Sequence, residues 1–289
     1  MSDDAFVAHR SLLFTVAYEM LGSAADAEDV VQEAWLRWVG VDHDTVRDPR
    51  SYLVRVVTRQ ALNRLRTLAR RREDYIGDWL PEPLLTSPDV AEDVELAESV
   101  SFALLTVLET LGPIERVVFV LREVFETPYD EIAAATGKSP SAVRQIAHRA
   151  REHVAARRPR VRVSRAEQEA VVRRFLAALR TGDVRGLLDV MAPDVVMVAD
   201  SGGVVPAARR PLHGADLVAG LLAKYVRFAT RAREAVVWLN GAPAIRVDVD
   251  GEIDTAVSVV VENGRITRLY AVRNPHKLER LGEPASLSR

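Results

Sequence analysis

Cysteine is absent from the 289 residues, so disulfides and thiolate zinc sites are excluded from the outset. A secretion signal is missing as well, since MSDDAFVAHR has no basic stretch leading into an apolar one. No apolar run reaches the length of a bilayer span. These absences predict a cytoplasmic chain without membrane contact, and the pattern assigns it no cofactor, no metal and no catalytic residue. Strong net charge is lacking too, at a formal -2, yet the average conceals segregation. Arg55 to Arg72 holds seven arginines and no acid, whereas Glu73 to Glu98 holds nine acidic residues and no Lys or Arg. Such blocks imply basic faces for DNA and an acidic connector. The length accommodates two or three domains, each with its own core.

The most informative stretch is TPYDEIAAATGKSPSAVRQIAHRAREHVAARR, residues 127 to 158. Thr127, Pro128 and Asp130 make a capping pattern for a first helix, which Thr136-Gly137 ends because glycine takes the left-handed conformation of a helix stop. Ser139 and Pro140 mark a second start. Val143, Ile146, Ala147, Ala150 and Val154 form one apolar stripe, and Arg144, Gln145, His148 and Arg149 fall opposite it. The pattern predicts a helix-turn-helix. Its outer face, with Ser139 and Ser141 at the helix start, suits a major groove, since Arg pairs bidentately with guanine and Gln with adenine. Arg151, Arg157, Arg158, Arg160 and Arg162 would add sequence-blind phosphate contacts. The plainer alternative is a helical hairpin with a solvated basic face.

Taken in order, residues 1–72 read as a helical domain with helices from about Asp4 to Leu21, over DAEDVVQEAWLRWV, and from Asp48-Pro49 through the basic block. Ser23 with Asp26 caps the second. Residues 73–94 form a linker interrupted by Gly77, Pro81, Pro83 and Pro88. Its Tyr75, Ile76, Trp79, Leu80 and Leu84 are too apolar for a free tether, so the segment is expected to dock. Residues 95–160 form a second helical domain, with helices over Leu96–Leu111 and Ile114–Phe125 ahead of the helix-turn-helix. Residues 161–289 change character. Helices over Ser164–Thr181, Val184–Met191 and Ala215–Ala229, with a strand at Val195–Val198, precede a period-two pattern from Ala235. Its Asn240-Gly241, Asp250-Gly251 and Asn263-Gly264 pairs predict hairpins. The fold class is therefore multidomain: two all-α domains and a C-terminal α+β domain whose curved sheet wraps a helix.

Laid out in this way, the chain resembles an extracytoplasmic-function sigma factor of bacterial RNA polymerase. DAEDVVQEAWLRW at 26–38 looks like that family's clamp-binding segment, SYLVRVVTRQALNRLR at 51–66 like its minus-ten helix, and residues 111–154 like its minus-thirty-five region. The C-terminal part resembles a SnoaL-like domain, a cone of the cystatin/NTF2 type. One sigma subgroup joins these parts and carries the linker motif that stands here as Trp79-Leu80-Pro81-Glu82-Pro83. This chain departs from that subgroup's Asp-Gly-Gly-Gly-Lys motif with Asp200-Ser201-Gly202-Gly203-Val204. It departs from Asn-Pro-Asp-Lys-Leu with Asn274-Pro275-His276-Lys277-Leu278.

The resemblance implies a non-enzyme that directs polymerase to promoters. Asp29, Gln32, Glu33 and Trp35 would dock on the clamp of the largest polymerase subunit, with the Trp as a buried anchor. Arg59, Asn63 and Arg66 would read the minus-ten edge, and the helix-turn-helix residues the minus-thirty-five element. The loop Val41–Arg50 stands where the family captures a flipped base, and it contains no Phe, Tyr or Trp. The C-terminal domain is expected to regulate in cis, packing against Trp79 to Leu84, with Asn274 to Leu278 clamping the first domain. The free chain is expected to be monomeric, and no anti-sigma partner is named. Two alternatives stay open. In one, the cone is an enzyme or small-molecule sensor with Asp200, Trp238, Arg246, Asp248 and Tyr270 lining its mouth; in the other, the chain is an ordinary DNA-binding regulator.

Overall fold

The computed structural model describes residues 2–72, 75–157, 163–228 and 231–289. Three helices build the first domain: α1 (Ser2–Leu21), α2 (Ala24–Val39) and α3 (Pro49–Arg72). Gly22 at φ 69° separates the first two, and the Ser23 hydroxyl accepts from the Asp26 amide at the start of α2. Phe6, Leu13, Val16, Ala17 and Met20 of α1 are buried, as their spacing predicts.

The second helical domain is more broken than its sequence suggests. In place of one helix over 96–111 there are α4 (Val94–Ser99) and α5 (Phe102–Leu108), because Ser101 caps a new start by accepting from the Leu104 amide. Phe102 is thereby turned toward Tyr270 of the C-terminal domain, 5.5 Å between ring centroids. Next comes α6 (Pro113–Phe119), which runs into a π turn at Val120–Val124 rather than a regular helix to Phe125. The helix-turn-helix is α7 (Tyr129–Thr136) and α8 (Pro140–Arg157). Thr127 does not cap α7; Pro128 holds the cap position without a side-chain bond. Gly137 at φ 68° ends α7, and the Ser139 hydroxyl accepts from the Ala142 amide to open α8.

In the C-terminal domain, α9 (Arg165–Thr181) and α10 (Val184–Val190) lead into β1 (Met191–Asp200) and the short β2 (Leu212–His213). The helix α11 (Ala215–Phe228) then precedes β3 (Ala232–Leu239), β4 (Ala242–Val249), β5 (Glu252–Glu262) and β6 (Arg265–Val272), and a single turn, α12 (Pro275–Leu278), follows. The expected helix end at Ala229 lies outside the described residues. The sheet order is β2-β1-β6-β5-β4-β3, antiparallel except for β1 against β6. Asn240, Asp250 and Asn263 each take positive φ ahead of a positive-φ glycine, giving the paired left-handed turn residues of a tight hairpin. Register shifts in the β4–β5 and β5–β6 pairs bend the sheet around α9 and α11.

Core packing decides how the domains sit. One apolar cluster runs without interruption from α1–α3 into α6–α8, so the two helical domains share a core. A second lies inside the cone, between its helices and one sheet face. A third covers the other sheet face, where Tyr270, Val272, Ala256 and Leu239 meet Leu80 of the linker and Phe102. The sheet is thus buried on both sides.

Candidate functional site: a closed assembly of two helical domains, a linker and a cone

The outer face of α8 is as its periodicity predicts. Ser141, Arg144, Gln145, His148, Arg149 and Arg151 are exposed, while Val143, Ile146, Ala147, Ala150 and Val154 are buried. Four of these side chains are already engaged: the Ser141 hydroxyl lies 3.1 Å from that of Ser139, and His148 Nε2 lies 3.5 Å from Glu152. Arg151 grips the Glu123 carboxylate through two nitrogens at 3.1 and 2.8 Å, and Arg144 lies 5.7 Å from the Tyr129 ring centre. Arg158, Arg160 and Arg162 lie outside the described residues. On α3, Arg59, Asn63 and Arg66 are exposed along one face, four and then three residues apart. Arg59 does not point into open solvent: its Nη2 donates to the Ala134 carbonyl of α7 at 2.9 Å.

On α2, Asp29, Gln32 and Glu33 are exposed. The Trp35 ring is half-buried, edge-on against Phe6 of the same domain at 5.0 Å. The apolar residues left open on α2 are Leu36, 67% exposed and one turn from Gln32 and Glu33, and Val39. The apolar stripe beside them hides this exposure in the sequence. Asp29 pairs with Arg64 Nη2, and Asp26 with Arg64 Nε at 2.7 Å. In the loop after α2, the His43 ring packs on Trp38 at 4.3 Å.

The linker docks along its length, with Leu80, Pro81, Glu82, Pro83 and Leu84 buried, Trp79 half-buried and Ile76 exposed. Asp200, at the end of β1, is fully buried and organises the contact. Its Oδ1 accepts from the Tyr75 hydroxyl at 2.5 Å, and its Oδ2 from the Leu80 amide at 2.9 Å and Lys277 Nζ at 2.7 Å. Lys277 also donates to the Leu80 carbonyl and lies 3.3 Å above the centre of the Trp79 ring. Asn274 caps α12 and donates to the Tyr75 hydroxyl at 2.9 Å. Burial and the Asp200 carboxylate push the Tyr75 phenol well above its usual range. A side chain at Gly202 would stand 2.5 Å from Asn274 Nδ2, so only glycine admits this approach. Pro275 opens α12 from an exposed position, and Leu278 joins the apolar layer beneath Leu80. Among the departures from the subgroup motifs, Ser201 is half-buried and Val204 and His276 are exposed, and none of their side chains makes the hydrogen bonds above.

Asn274 to Leu278 therefore hold the linker, not the first domain. The reach to the first domain comes from residues that periodicity did not single out. Asn240, at a hairpin tip, is fully buried; its Nδ2 donates to the Tyr18 hydroxyl at 2.7 Å and to the Val100 carbonyl at 2.9 Å, while its Oδ1 accepts from the Leu84 amide at 3.0 Å. Its neighbour Gly241 abuts Ala97, where a side chain would come within 2.9 Å. One turn residue thus joins both helical domains and the linker, a role that a hairpin signal alone does not reveal. The Glu82 carboxylate accepts from the Ala25 amide at 3.2 Å, and its carbonyl from the Tyr18 hydroxyl at 2.7 Å. Burial raises the Glu82 carboxyl, against the pull of the Ala25 amide and Ser23 hydroxyl. At the tail, the Ser288 amide donates to Thr15 Oγ1, and Arg289 reaches Glu95 and the Val124 carbonyl.

Between the helical domains, Arg116 of α6 is buried, with Nε and Nη2 donating to the Glu19 carbonyl of α1 at 3.2 and 3.1 Å and Nη1 to Glu109 at 2.6 Å. Burial pushes the Glu19 carboxyl up to about 8, against the opposing Ser99 hydroxyl and the Arg289 and Arg116 charges.

The cone encloses a cavity of about 610 Å³, but none of the five residues expected at its mouth lines it. Ala199, Ile245, Val247, Leu269 and Ala271 do, each one residue from Asp200, Arg246, Asp248 or Tyr270. Alternation along a strand sends neighbours to opposite faces, so these four polar candidates belong to the outer side. Trp238, opposite Pro243 in the β3–β4 pair, shares the inner face with Ile245 but lies beside α9 rather than in the cavity, 4.3 Å from the Arg165 guanidinium. Among the described residues no group of His, Asp or Glu could hold a metal, and no helix is long and apolar enough to cross a membrane.

Comparison with known proteins agrees with this layout. Residues 5–71 match the Sigma-70 region 2 family model, and residues 101–154 match Sigma-70, region 4. The chain is 38% identical over 309 residues to ECF RNA polymerase sigma factor SigJ of Mycobacterium tuberculosis, covering 98% of this chain and 97% of that protein. It is 34% identical to the probable ECF RNA polymerase sigma factor SigI of the same organism, covering 96% and 94%. The crystal structure of SigJ superposes with a TM-score of 0.78 at 35% identity, over 95% of this chain and 97% of that one, so the likeness takes in the SnoaL-like cone as well as both helical domains. With the two Sigma-70 regions in order and relatives matching over nearly the whole length, the chain belongs to the extracytoplasmic-function RNA polymerase sigma factors.

Proposed function

We propose that this sigma factor joins core RNA polymerase through the α2 face of Asp29, Gln32, Glu33 and Leu36, reads the minus-ten edge with Arg59, Asn63 and Arg66, and reads the minus-thirty-five element with the outer face of α8. The SnoaL-like domain restrains this activity by holding the two readers together in the free chain. The observation that carries the restraint is the Arg59 bond to the Ala134 carbonyl. Promoter elements about 25 base pairs apart lie about 85 Å apart along straight B-DNA at 3.4 Å per pair. A minus-ten reader that touches the minus-thirty-five reader cannot occupy both, so the helical domains must part before initiation. Polymerase supplies that separation, and tethering both modules on it makes the second DNA contact intramolecular. The linker is the hinge, gripped by Asp200 and Lys277 on one side and by the α1–α2 junction on the other.

The test is reconstitution with core polymerase and mapping of start sites, comparing the intact chain with Asp200→Asn and Lys277→Ala. The restraint requires more transcription from both variants at limiting sigma factor. Equal output from all three would remove it, while failure of the intact chain to redirect initiation would remove the promoter-reading role.

A further inference from the structure

The cavity inside the cone is not consumed by any of the contacts above. Its wall is almost wholly apolar: Phe175 and Leu179 from α9, Leu217 and Leu221 from α11, and the inward residues of β1, β4, β5 and β6. At about 610 Å³ it lies within the range of small-molecule pockets. Two features show that the fold keeps it open. Gly220 stands inside α11, where glycine weakens a helix, and a side chain there would meet nothing within 4 Å. Leu217, 56% exposed, and Leu221 leave apolar surface uncovered on the same helix.

Polarity enters the cavity at Asp216 and Lys224, both exposed on α11, and at a part-buried cluster around Arg273. Arg273 lines it and is fixed by its neighbours: Nη1 donates to the Pro206 carbonyl at 2.5 Å, and Nη2 to both Asp254 oxygens at 2.9 and 3.1 Å. Tyr225, also in the wall, donates to Asp254 at 3.1 Å, as does the Thr255 hydroxyl at 2.5 Å. Burial opposes the Asp254 charge, yet the Thr255 hydroxyl and the Arg273 guanidinium hold its carboxyl below the usual range. The guanidinium is thus already neutralised, while its Nε, buried, makes no hydrogen bond. A buried donor without a partner favours an acceptor, and a paired cation does not call for a second anion.

We propose that the cone is a binding site for an uncharged, compact, mostly apolar molecule carrying one hydrogen-bond acceptor of the ketone, ester or amide type, seated against Arg273. This deepens the reading of the cone as a regulatory domain and rests on it for its biological meaning. The cavity and the linker clamp occupy opposite faces of the same strands: Ala199, Ala271 and Arg273 face the cavity, while Asp200, Val272 and Asn274 face the linker side. Occupancy that shifts either strand end is therefore felt at Leu80 and Tyr75.

The experiment is a fluorescence titration of the intact chain, without polymerase or DNA, using Nile red as a neutral carbonyl-bearing apolar probe. Competition follows with cyclododecanone, cyclododecane and decylamine. Saturable one-to-one binding is expected, displaced at least tenfold more effectively by the ketone than by the hydrocarbon or the amine. Gly220→Trp should fill the cavity and weaken probe binding at least tenfold without lowering the unfolding midpoint. Arg273→Gln should bind the probe but lose the preference for ketone over hydrocarbon. Absence of saturable binding, undiminished binding by Gly220→Trp, or displacement by the amine as effective as by the ketone would each overturn the proposal. Because no transcription is read, these outcomes are separate from failure of promoter reading, which only the start-site assay reports.

Discussion

Arg59 of α3 donates to the main-chain carbonyl of Ala134 in α7, so a side chain proposed to read one promoter element is spent on the module proposed to read the other. A bond of this kind at a part-exposed site contributes about 1 kcal/mol. The shared apolar core behind it carries the larger share of the closure, and the bond fixes its register.

Removing the buried cation at this junction should open it. Arg116 satisfies the buried Glu19 carbonyl and the partly buried Glu109 carboxylate. Arg116→Met is expected to cost about 3 kcal/mol, the scale for breaking a buried pair at one partner. Urea unfolding of the intact chain measures it. A loss within about 0.5 kcal/mol, typical of surface substitutions, would mean that the junction does not depend on this side chain.

Asp200→Asn should loosen the linker specifically. Lys277, buried, would keep the Leu80 carbonyl but lose its counter-charge. Hydrogen exchange at the Leu80 amide, which donates to Asp200, is the direct readout. Each 1.4 kcal/mol lost from the clamp should raise exchange about tenfold. An unchanged rate at Leu80 would show that the linker is held by apolar packing alone.

The closed arrangement should weaken with alkalinity through Glu19. Its carboxyl stands near 8 in the folded chain against an ordinary value of 4.5, so the folded state holds the proton more tightly. The contribution is fully present below about 4.5 and is lost as pH rises through about 8. Glu19→Gln, which cannot ionise, should flatten the stability profile across that window. A profile with the same slope in the variant would assign the dependence to another group.

The two faces should separate genetically. Alanine at Arg144, Gln145 or Arg149 should reduce promoter-specific transcription about tenfold or more each, from about 1–3 kcal/mol per base contact, while leaving polymerase binding intact. Alanine at Asp29, Glu33 or Leu36 should weaken polymerase binding and lower transcription with it. Co-purification with core polymerase alongside a transcription assay distinguishes the sets, and lost polymerase binding from the α8 set, or intact binding from the α2 set, would overturn the assignment.

Much of the fold was legible because it is local. Caps at Ser23, Ser139 and Ser164, the stops at Gly137 and Gly182, and the three hairpin turns need only nearby residues and allowed backbone angles. The helical stripes of α2 and α8 likewise gave the outer faces correctly. The break at Val100–Ser101 was less visible, since an apolar run continues through it and the cap competes only once Phe102 has a site in the sheet's outer layer. Asp200, Arg246, Asp248 and Tyr270 failed by a single step, since period two names two faces but does not say which faces inward; Trp238 faces inward but lies beside α9, outside the cavity. What the sequence by itself determined is the order of the domains, the readers on their helices and the kind of protein this is. Only the tertiary structure decided that α3 and α7 meet, that Asp200 turns outward to Lys277 and the linker, and that Asn240 joins three segments. Those contacts join residues from about 75 to more than 200 positions apart, and no periodicity encodes a distance of that kind; it arises only when apolar faces find one another.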